Sequence, residues 1–428
     1  MTATDTLPVA HLQRLLEEVV EEKGIKKPRY TVSAGSKNGD NYIGLLYRVE
    51  VREGDAAEPV LRLIIKAMPL SLRRRQDAEL VKFFDNEFSM YRDVLPALGR
   101  FAAAAAAGVD GGVVDAARPG FAADAFPYAP PLHSGRQECR GAGEGEDALV
   151  LEDMLPLGFR LQDRRVGLDV HHVRAVLRSL AYLHASSMAM EDQRPDEFAE
   201  LRGLIKETLF RASNPFGPQI EIMAKKTDDY VKDRFPEGST GYKRMRSLMD
   251  SYMKEMLRLS SPSPDGGNTI CHGDCWTNNV LFKYSKSGDV EEACLLDFQI
   301  SRYAPPVLDI AYLIFCCTTR EFRDEHLDRL LGEYHDQLSA NLRRFAIPDK
   351  VYPKKTMEKQ MRERMCFGFG MAAMTVPLFL ADSDEIPDMD EQFDKGTEID
   401  MTIESRNAPE RNKRIADVLE EMIDRGWL

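Results

Sequence analysis

The chain has 428 residues, 43% of them hydrophobic and 30% charged, with a formal net charge of −13. Such a length can bury two sizeable cores, and the negative balance argues against nucleic acid or an anionic membrane surface as the main partner. The opening residues lack the basic flank and continuous apolar core of a signal peptide, and no run of about 18 apolar residues occurs, so no membrane span is expected. Cysteines at 139, 271, 275, 294, 316, 317 and 366 are odd in number and scattered, which reads as reduced thiols in the cytoplasm.

Residues 11–23, HLQRLLEEVVEEK, have helical period and are expected to form a capped amphipathic helix within an N-terminal extension, 1–28. Residues 29–152 read as a β-rich lobe. NYIGLLYRVEV and VLRLIIKAMP are strand-like runs joined by a Gly/Asp/Ala turn. Before them lies GSKNGDN, in which Gly35 and Gly39 would permit a tight turn and a close approach of backbone to phosphate. The spacing is neither GxGxxG nor a Walker A loop, and an ordinary hairpin turn has the same letters. Only its place one strand before Lys66 favours the phosphate reading.

DAELVKFFDNEFSMYRDVL switches to helical period, with Phe84, Phe88, Tyr91 and Leu95 on one stripe. Glu87 falls on that stripe, and a carboxylate facing a core is costly unless paired. Lys66, closing the apolar strand LRLIIKAMP, is the nearest cation in this plan. A lysine there is normally a solvated edge residue; the buried acid opposite favours a Lys66–Glu87 pair that aims an ammonium at nucleotide phosphates. Residues 101–147 are biased towards Ala and Gly and are expected to be a low-complexity loop, with one short extended stretch at FPYAPPLHS. ALVLEDML reads as a buried strand leaving into a linker. It ends the first lobe, and the backbone from Glu152 to Met154 is a positional candidate for contacting adenine.

Residues 153–428 read as a larger, mainly helical lobe, and a cleft between two such lobes is a natural ligand site. VHHVRAVLRSLAYLHASS aligns Val173, Leu177, Leu180 and His184 on one face, with His184 a satisfied core histidine. ICHGDCWTNNVLF then crowds Cys271, His272, Asp274 and Cys275 together. Zinc would want four ligands closed into a tetrahedron, but no second Cys/His cluster follows, and Cys271 reads as a small buried hydrophobe. Asp274 followed five residues later by Asn279 is the spacing with which a kinase orients a hydroxyl and holds magnesium.

That chemistry requires another metal-binding aspartate at a nearby strand end, and EACLLDFQI supplies Asp297. Alone it would be a turn residue; eighteen residues after Asn279 and just before Phe298, it reads as a ligand. Asp309, at the start of the apolar helix APPVLDIAYLIF, is expected to bind backbone N–H groups and brace the loop. Trp276, Phe298, Cys316 and Cys317 read as packing. The acidic run ADSDEIPDMDEQFDKGTEID reads as a solvated loop, although it keeps a cationic acceptor in play.

HGDCWTNNVLF with LLDFQ resembles the choline kinase and aminoglycoside phosphotransferase branch of the protein kinase-like superfamily. With GDNYIGLLYRVEV, NEFSMYRDVLP, LVLEDMLPLGF, LRSLAYLHASS and VLEEMIDRGWL, the chain more narrowly resembles the ecdysteroid kinase-like family over most of its length. The resemblance implies an α+β, bilobal protein kinase-like fold with a small β-rich N-lobe and a larger, mainly helical C-lobe. It implies an ATP- and Mg-dependent phosphotransferase acting on an alcohol of a small molecule, such as an ecdysteroid, another sterol or a foreign alcohol.

By position the resemblance makes Asp274 the catalytic aspartate and Asn279 and Asp297 the magnesium ligands. Lys66 with Glu87 becomes the phosphate-positioning pair, and His272 a histidine that holds loop geometry. The rival readings are a choline-, ethanolamine- or aminoglycoside-type kinase on the same fold, and a catalytically silent nucleotide-binding pseudokinase. The second is disfavoured because Lys66, Glu87, Asp274, Asn279 and Asp297 are all in place. The 101–147 segment departs from the family's usual approach to the crossover strand. Nothing in the letters bears on oligomeric state.

Overall fold

In the computed structural model the described residues are 4–35, 44–69, 71–107, 122, 124–136, 147–382, 384–386, 389–395, 403 and 405–428. Helix α1 (Ala10–Glu22) precedes strands β1 (Pro28–Ala34), β2 (Leu45–Glu53) and β3 (Leu61–Ala67). The cap expected for this helix is found at its C-terminal end, where the Lys23 N–H bonds the Val19 carbonyl, and not at its start, where Val9 bonds no N–H through its side chain. Burial of an apolar face holds the helix as well. Leu12, Leu15, Leu16, Val19 and Val20 share one cluster with Val49, Val51, Leu63 and Ile65 of the strands.

Strand alternation sends Lys66 to the opposite face from Ile65. After α2 (Leu72–Asp77), α3 (Leu80–Ser89) meets that face through Glu87 and runs through a π-helical turn, Met90–Val94, into α4 (Leu95–Ala107). Here the loop expectation is corrected. The FAAAAAA stretch that opens the 101–147 segment continues α4, because alanine is the strongest helix former and Phe101 and Ala102 are buried. Residues 108–121 and 137–146 of that segment lie outside the described residues, as does Gly39. Strands β4 (Leu132–Arg136) and β5 (Ala148–Glu152) complete an antiparallel sheet of order β1-β2-β3-β5-β4, with Lys66 opposite Leu149.

After the crossover, β6 (Phe159–Leu161) leads to the long helix α5 (Val170–Gln193) and then to α6 (Pro195–Leu204), α7 (Gly217–Lys225), α8 (Thr227–Val231), α9 (Thr240–Met249) and α10 (Tyr252–Ser260). The polar motifs follow on short strands: β7 (Thr269–Cys271), β8 (Val280–Tyr284), β9 (Val290–Leu295) and β10 (Arg302–Ala304). β7 pairs with β10, while β8 lies between β6 and β9. The chain closes with α11 (Val307–Cys317), α12 (Arg320–Arg344), α13 (Lys354–Arg364), α14 (Cys366–Leu380), α15 (Met389–Lys395) and α16 (Ala408–Asp424).

The protein is therefore α+β and bilobal, with a small antiparallel N-lobe and a larger helical C-lobe. Among the described residues no helix is long and apolar enough to cross a membrane. Cys271, Cys275, Cys294, Cys316, Cys317 and Cys366 are free and buried, and Cys139 lies outside the described residues.

Candidate active site

The loop between β7 and β8 is held from below by Asp309. Its carboxylate accepts the peptide N–H of His272 at 2.7 Å and of Gly273 at 2.8 Å, and it meets His184 Nε2 at 3.1 Å. Asp309 lies in the first turn of α11 yet spends its oxygens on the loop and not on its own helix. Burial would raise its pKa, but these bonds, led by that of His184, carry it below the ordinary carboxylate value. Gly273 has φ 87°, and a Cβ there would stand 2.0 Å from the Ile300 carbonyl oxygen, so no other residue fits this turn.

His272 braces the loop from within. Its Nδ1 accepts the Asp274 N–H at 3.1 Å, which leaves Nε2 to donate to the Leu296 carbonyl at 2.9 Å. Burial lowers its pKa, with Asp309 opposing, so the ring is neutral and in one tautomer. The ring also lies 4.6 Å from Phe298, which meets Tyr91 edge-on at 5.4 Å. This aromatic column runs from the loop into the π-helical turn that follows Glu87. A π turn widens a helix at one point, and such turns recur at functional sites.

Asp274 receives a hydrogen bond on each carboxylate oxygen. Tyr312 OH donates to Oδ1 at 3.0 Å, Asn279 Nδ2 to Oδ2 at 2.9 Å, and Gln299 Nε2 makes a longer 3.5 Å contact with Oδ2. Burial pushes the Asp274 pKa up to about 7, and the negative charge of Asp297 adds to the rise. Asn279 Nδ2 also donates to the Asp274 carbonyl at 3.0 Å, so the amide nitrogen is spent and its oxygen remains as an acceptor.

Asp297 follows β9 with φ 63°, a left-handed conformation that costs a non-glycine residue about 1–3 kcal/mol. Its Oδ1 lies 3.0 Å from Lys66 Nζ, and the same ammonium lies 2.7 Å from Glu87 Oε2. Burial alone would lower the Lys66 pKa, but Asp297 and Glu87 outweigh it and hold the ammonium charged. Burial raises the Glu87 pKa, the ammonium works against that, and Asp297 and Asp274 add to it. Glu87 and Asp297 thus share one ammonium, with Asp274 close enough to raise the pKa of Glu87, leaving a surplus of negative charge among oxygen donors. A hard divalent cation fits such a set.

The remaining sequence candidates fall elsewhere or serve the fold. The Gly35 N–H is committed to the Leu46 carbonyl at 2.8 Å, where it ends the β1–β2 ladder. Glu152 bonds His133 through its side chain at 2.6 Å and the Pro131 carbonyl through its N–H at 3.0 Å. The Met154 carbonyl accepts from Leu157 and Phe159 at 3.1 and 3.3 Å, while its side chain joins Phe159, Leu281, Cys294 and Leu296 in a small apolar cluster beneath the crossover.

Several contributors escaped the sequence reading. Tyr312 is one; its signal was the i, i+3 spacing from Asp309, which puts both on one helix face. Leu281 is another, two residues past Asn279. Gly44 is a third: a Cβ there would lie 2.8 Å from the Ala67 carbonyl oxygen and against the Lys66 stem. His184 and Cys271 do approach Asp309 within 4.8 Å. Even so, Asp309 is occupied by N–H donors, and burial keeps the Cys271 thiol protonated. That trio is a structural knot.

A buried Lys–Glu pair under a five-stranded lobe, facing an HGD loop and a DFQ strand end, defines the class of small-molecule kinase-like proteins. The ecdysteroid kinase-like family matches residues 38–347, and the chain belongs to that family. A curated relative, the uncharacterized oxidoreductase dhs-27 of Caenorhabditis elegans, is 23% identical over 208 residues, which is 46% of this chain and 23% of that protein. The chain therefore spans about a quarter of that relative's length.

Among solved structures, an ethanolamine kinase of Plasmodium vivax is similar at 12% identity and TM-score 0.39, covering 93% of this chain and 83% of its own. A choline/ethanolamine kinase family protein of Mesorhizobium loti is similar at 12% identity and TM-score 0.35, with 96% and 99% covered. An aminoglycoside phosphotransferase of Streptomyces rimosus, solved with ADP and streptomycin, is similar at 13% identity and TM-score 0.33, with 86% and 99% covered.

Proposed function

We propose that the protein is an ATP- and Mg-dependent phosphotransferase that phosphorylates an alcohol group of a small molecule, with ecdysteroids, other sterols and foreign alcohols as the acceptor class. The observation that carries this reading is Asp274, a buried carboxylate gripped on both oxygens and set beside the Lys66–Glu87–Asp297 cluster. Family membership supports the same reading.

In this mechanism Asp274 orients the acceptor hydroxyl and takes its proton as the phosphoryl group transfers. The bonds from Tyr312 and Asn279 hold its oxygens in place for an in-line approach. Lys66, kept charged and aimed by Glu87, neutralises nucleotide phosphate oxygens. Asp297 and the Asn279 amide oxygen would hold magnesium, which would supply charge neutralisation on the nucleotide phosphates. His272 keeps the loop in register without reacting. Met154, Phe159 and Leu281 pack in a buried cluster beside the 152–154 backbone, the stretch that this reading gives to the adenine. Residues 1–28 would serve as an extension, 29–152 as the nucleotide lobe and 153–428 as the catalytic and acceptor lobe.

The test incubates purified protein with labelled ATP and magnesium against a metabolite extract, with a sterol polyol and choline run in parallel. Label is expected on a hydroxyl of the sterol class, in the parent and not in Asp274→Asn. Label on choline alone would favour the cationic-acceptor kinase. No labelled product in any arm would leave a nucleotide-binding protein without this chemistry.

A further inference from the structure

Asn86 precedes Glu87 on α3 and is only 2% exposed, yet its amide is fully used by two other parts of the chain. Nδ2 donates to the carbonyls of Gln299 at 3.2 Å and Ser301 at 2.8 Å, just beyond Asp297. Oδ1 accepts the Lys206 N–H at 2.9 Å. The partners dictate this orientation, because carbonyl oxygens only accept and a peptide N–H only donates.

The same partners are tied further. Ser301 Oγ donates to the His272 carbonyl at 3.0 Å, and Thr208 Oγ1 to the Gln299 carbonyl at 3.3 Å. Glu207 pairs with Arg302 at 2.9 Å, and Arg211 pairs with Glu79 at the start of α3. Residues 205–211, between α6 and α7, therefore form a bracket that grips α3 and the Asp297 loop together, and Asn86 is its centre.

We infer that Asn86 is a positioning residue that locks α3 to the backbone after Asp297 and to the 205–211 bracket, so that the Lys66–Glu87 pair stands assembled without an activating modification or partner. In kinases the placement of this helix decides whether the lysine–glutamate pair forms. Sliding α3 by one residue, about 1.5 Å, would break both carbonyl bonds at once. The inference rests on the phosphotransferase reading for its consequence in turnover, but its structural half stands independently.

Asn86→Ala and Asn86→Asp separate the contacts. The aspartate keeps an acceptor for the Lys206 N–H but turns a carboxylate against two carbonyl oxygens. Hydrogen exchange of the full chain should show the amides of 84–91 opening roughly tenfold faster in both variants, with Asn86→Asp at least as affected. MgATP affinity by calorimetry should fall about tenfold, and Asn86→Ala should add nothing in a Glu87→Gln background, because both act through one contact. Thr208→Val, which loosens the bracket from its other side, should shift exchange in the same direction to a smaller extent.

Exchange within twofold of the parent in both Asn86 variants overturns the lock. So does parent-like behaviour of Asn86→Asp, which would assign the effect to Lys206, or an additive loss with Glu87→Gln, which would mark a merely structural role. If Glu87→Gln and Asp297→Ala leave MgATP affinity unchanged, it is the phosphotransferase reading that fails, and the exchange result still decides the lock.

Discussion

Lys66 and Asp297 meet at 3.0 Å across the lobe boundary, while Glu87 holds the same ammonium from its other side at 2.7 Å. One cation thus joins the β-sheet, the helix above it and the strand-end loop of the helical lobe. Magnesium bound with nucleotide would take over part of Asp297's charge and free the ammonium for phosphate.

Removing the cation should expose what it neutralises. Lys66→Met strands Glu87 as a buried charge, and breaking such a pair costs about 3–5 kcal/mol. The Glu87 pKa is already raised by burial, so the stranded acid can escape by taking up a proton. A raised folded-state pKa means that folding favours the proton, so the penalty should grow as pH rises and shrink as it falls. Denaturant melts between pH 5 and 8 should show Lys66→Met losing more stability at the alkaline end than the parent does.

Asp274→Asn should lose turnover by about a thousandfold while keeping MgATP binding, as expected for a group needed only in transfer. The same change should stabilise the metal-free protein. Burial lifts the folded pKa of Asp274 to about 7, well above its unfolded value, so the ionised form penalises the fold above that pH. A gain of about 1–3 kcal/mol is expected at pH 8, fading as the pH falls from about 7 to about 4, where the carboxyl is protonated in both the folded and the unfolded chain. Thermal melts in chelator at the two pH values check it. A destabilised variant at pH 8 would contradict the assignment.

Magnesium with nucleotide should raise the melting temperature of the parent, because a ligand that binds only the folded form stabilises it by mass action. The surplus of negative charge where Glu87 and Asp297 share one ammonium carries that effect. Asp297→Ala should abolish the magnesium-dependent part of the shift, measured by scanning calorimetry with and without chelator. An undiminished shift would remove Asp297 from the metal set.

Asp309→Ala should be costly far from any substrate. It leaves the His272 and Gly273 N–H groups and His184 without their acceptor, and each buried orphan costs about 1–3 kcal/mol. Asp309→Asn keeps one acceptor oxygen and should retain more stability and more activity than the alanine. Chemical denaturation of both variants ranks them.

Gly273→Ala tests the turn. Its φ of 87° and the 2.0 Å approach to the Ile300 carbonyl oxygen leave no place for a methyl. The loop must shift, carrying Asp274 with it, so turnover should fall at least about a hundredfold while the helical content stays native by circular dichroism. Full activity in this variant would show that the loop tolerates displacement.

Much of the candidate site was legible as letters because its residues are tied to spacing. Asp274, Asn279 and Asp297 sit at intervals that a loop and a strand end impose, and Glu87 declared itself as a charge on an apolar stripe. The loop reading of 101–107 failed for a local reason: alanine bias marks low complexity, but a run of alanines after LPALGRF is also the cheapest way to extend a helix. The helix read at 11–23 forms as α1, closed at its C-terminal end by the Lys23 N–H and held on the sheet by its apolar face, while Val9 at its start has no polar side chain to cap it.

By itself the sequence determined the lobe order, the strand that presents Lys66, and the carboxylates that the fold gathers beside it, since periodicity and short-range spacing are local properties. Only the tertiary structure decided what those groups feel. Tyr312 reaches Asp274 from 38 residues away, Asn86 reaches Ser301 from 215, and Asp297 shares the Lys66 ammonium with Glu87. Charge, burial and hydrogen bonding act through space. The pKa of Asp274 and the fixed place of α3 therefore come from neighbours brought near by folding, at separations no local pattern encodes.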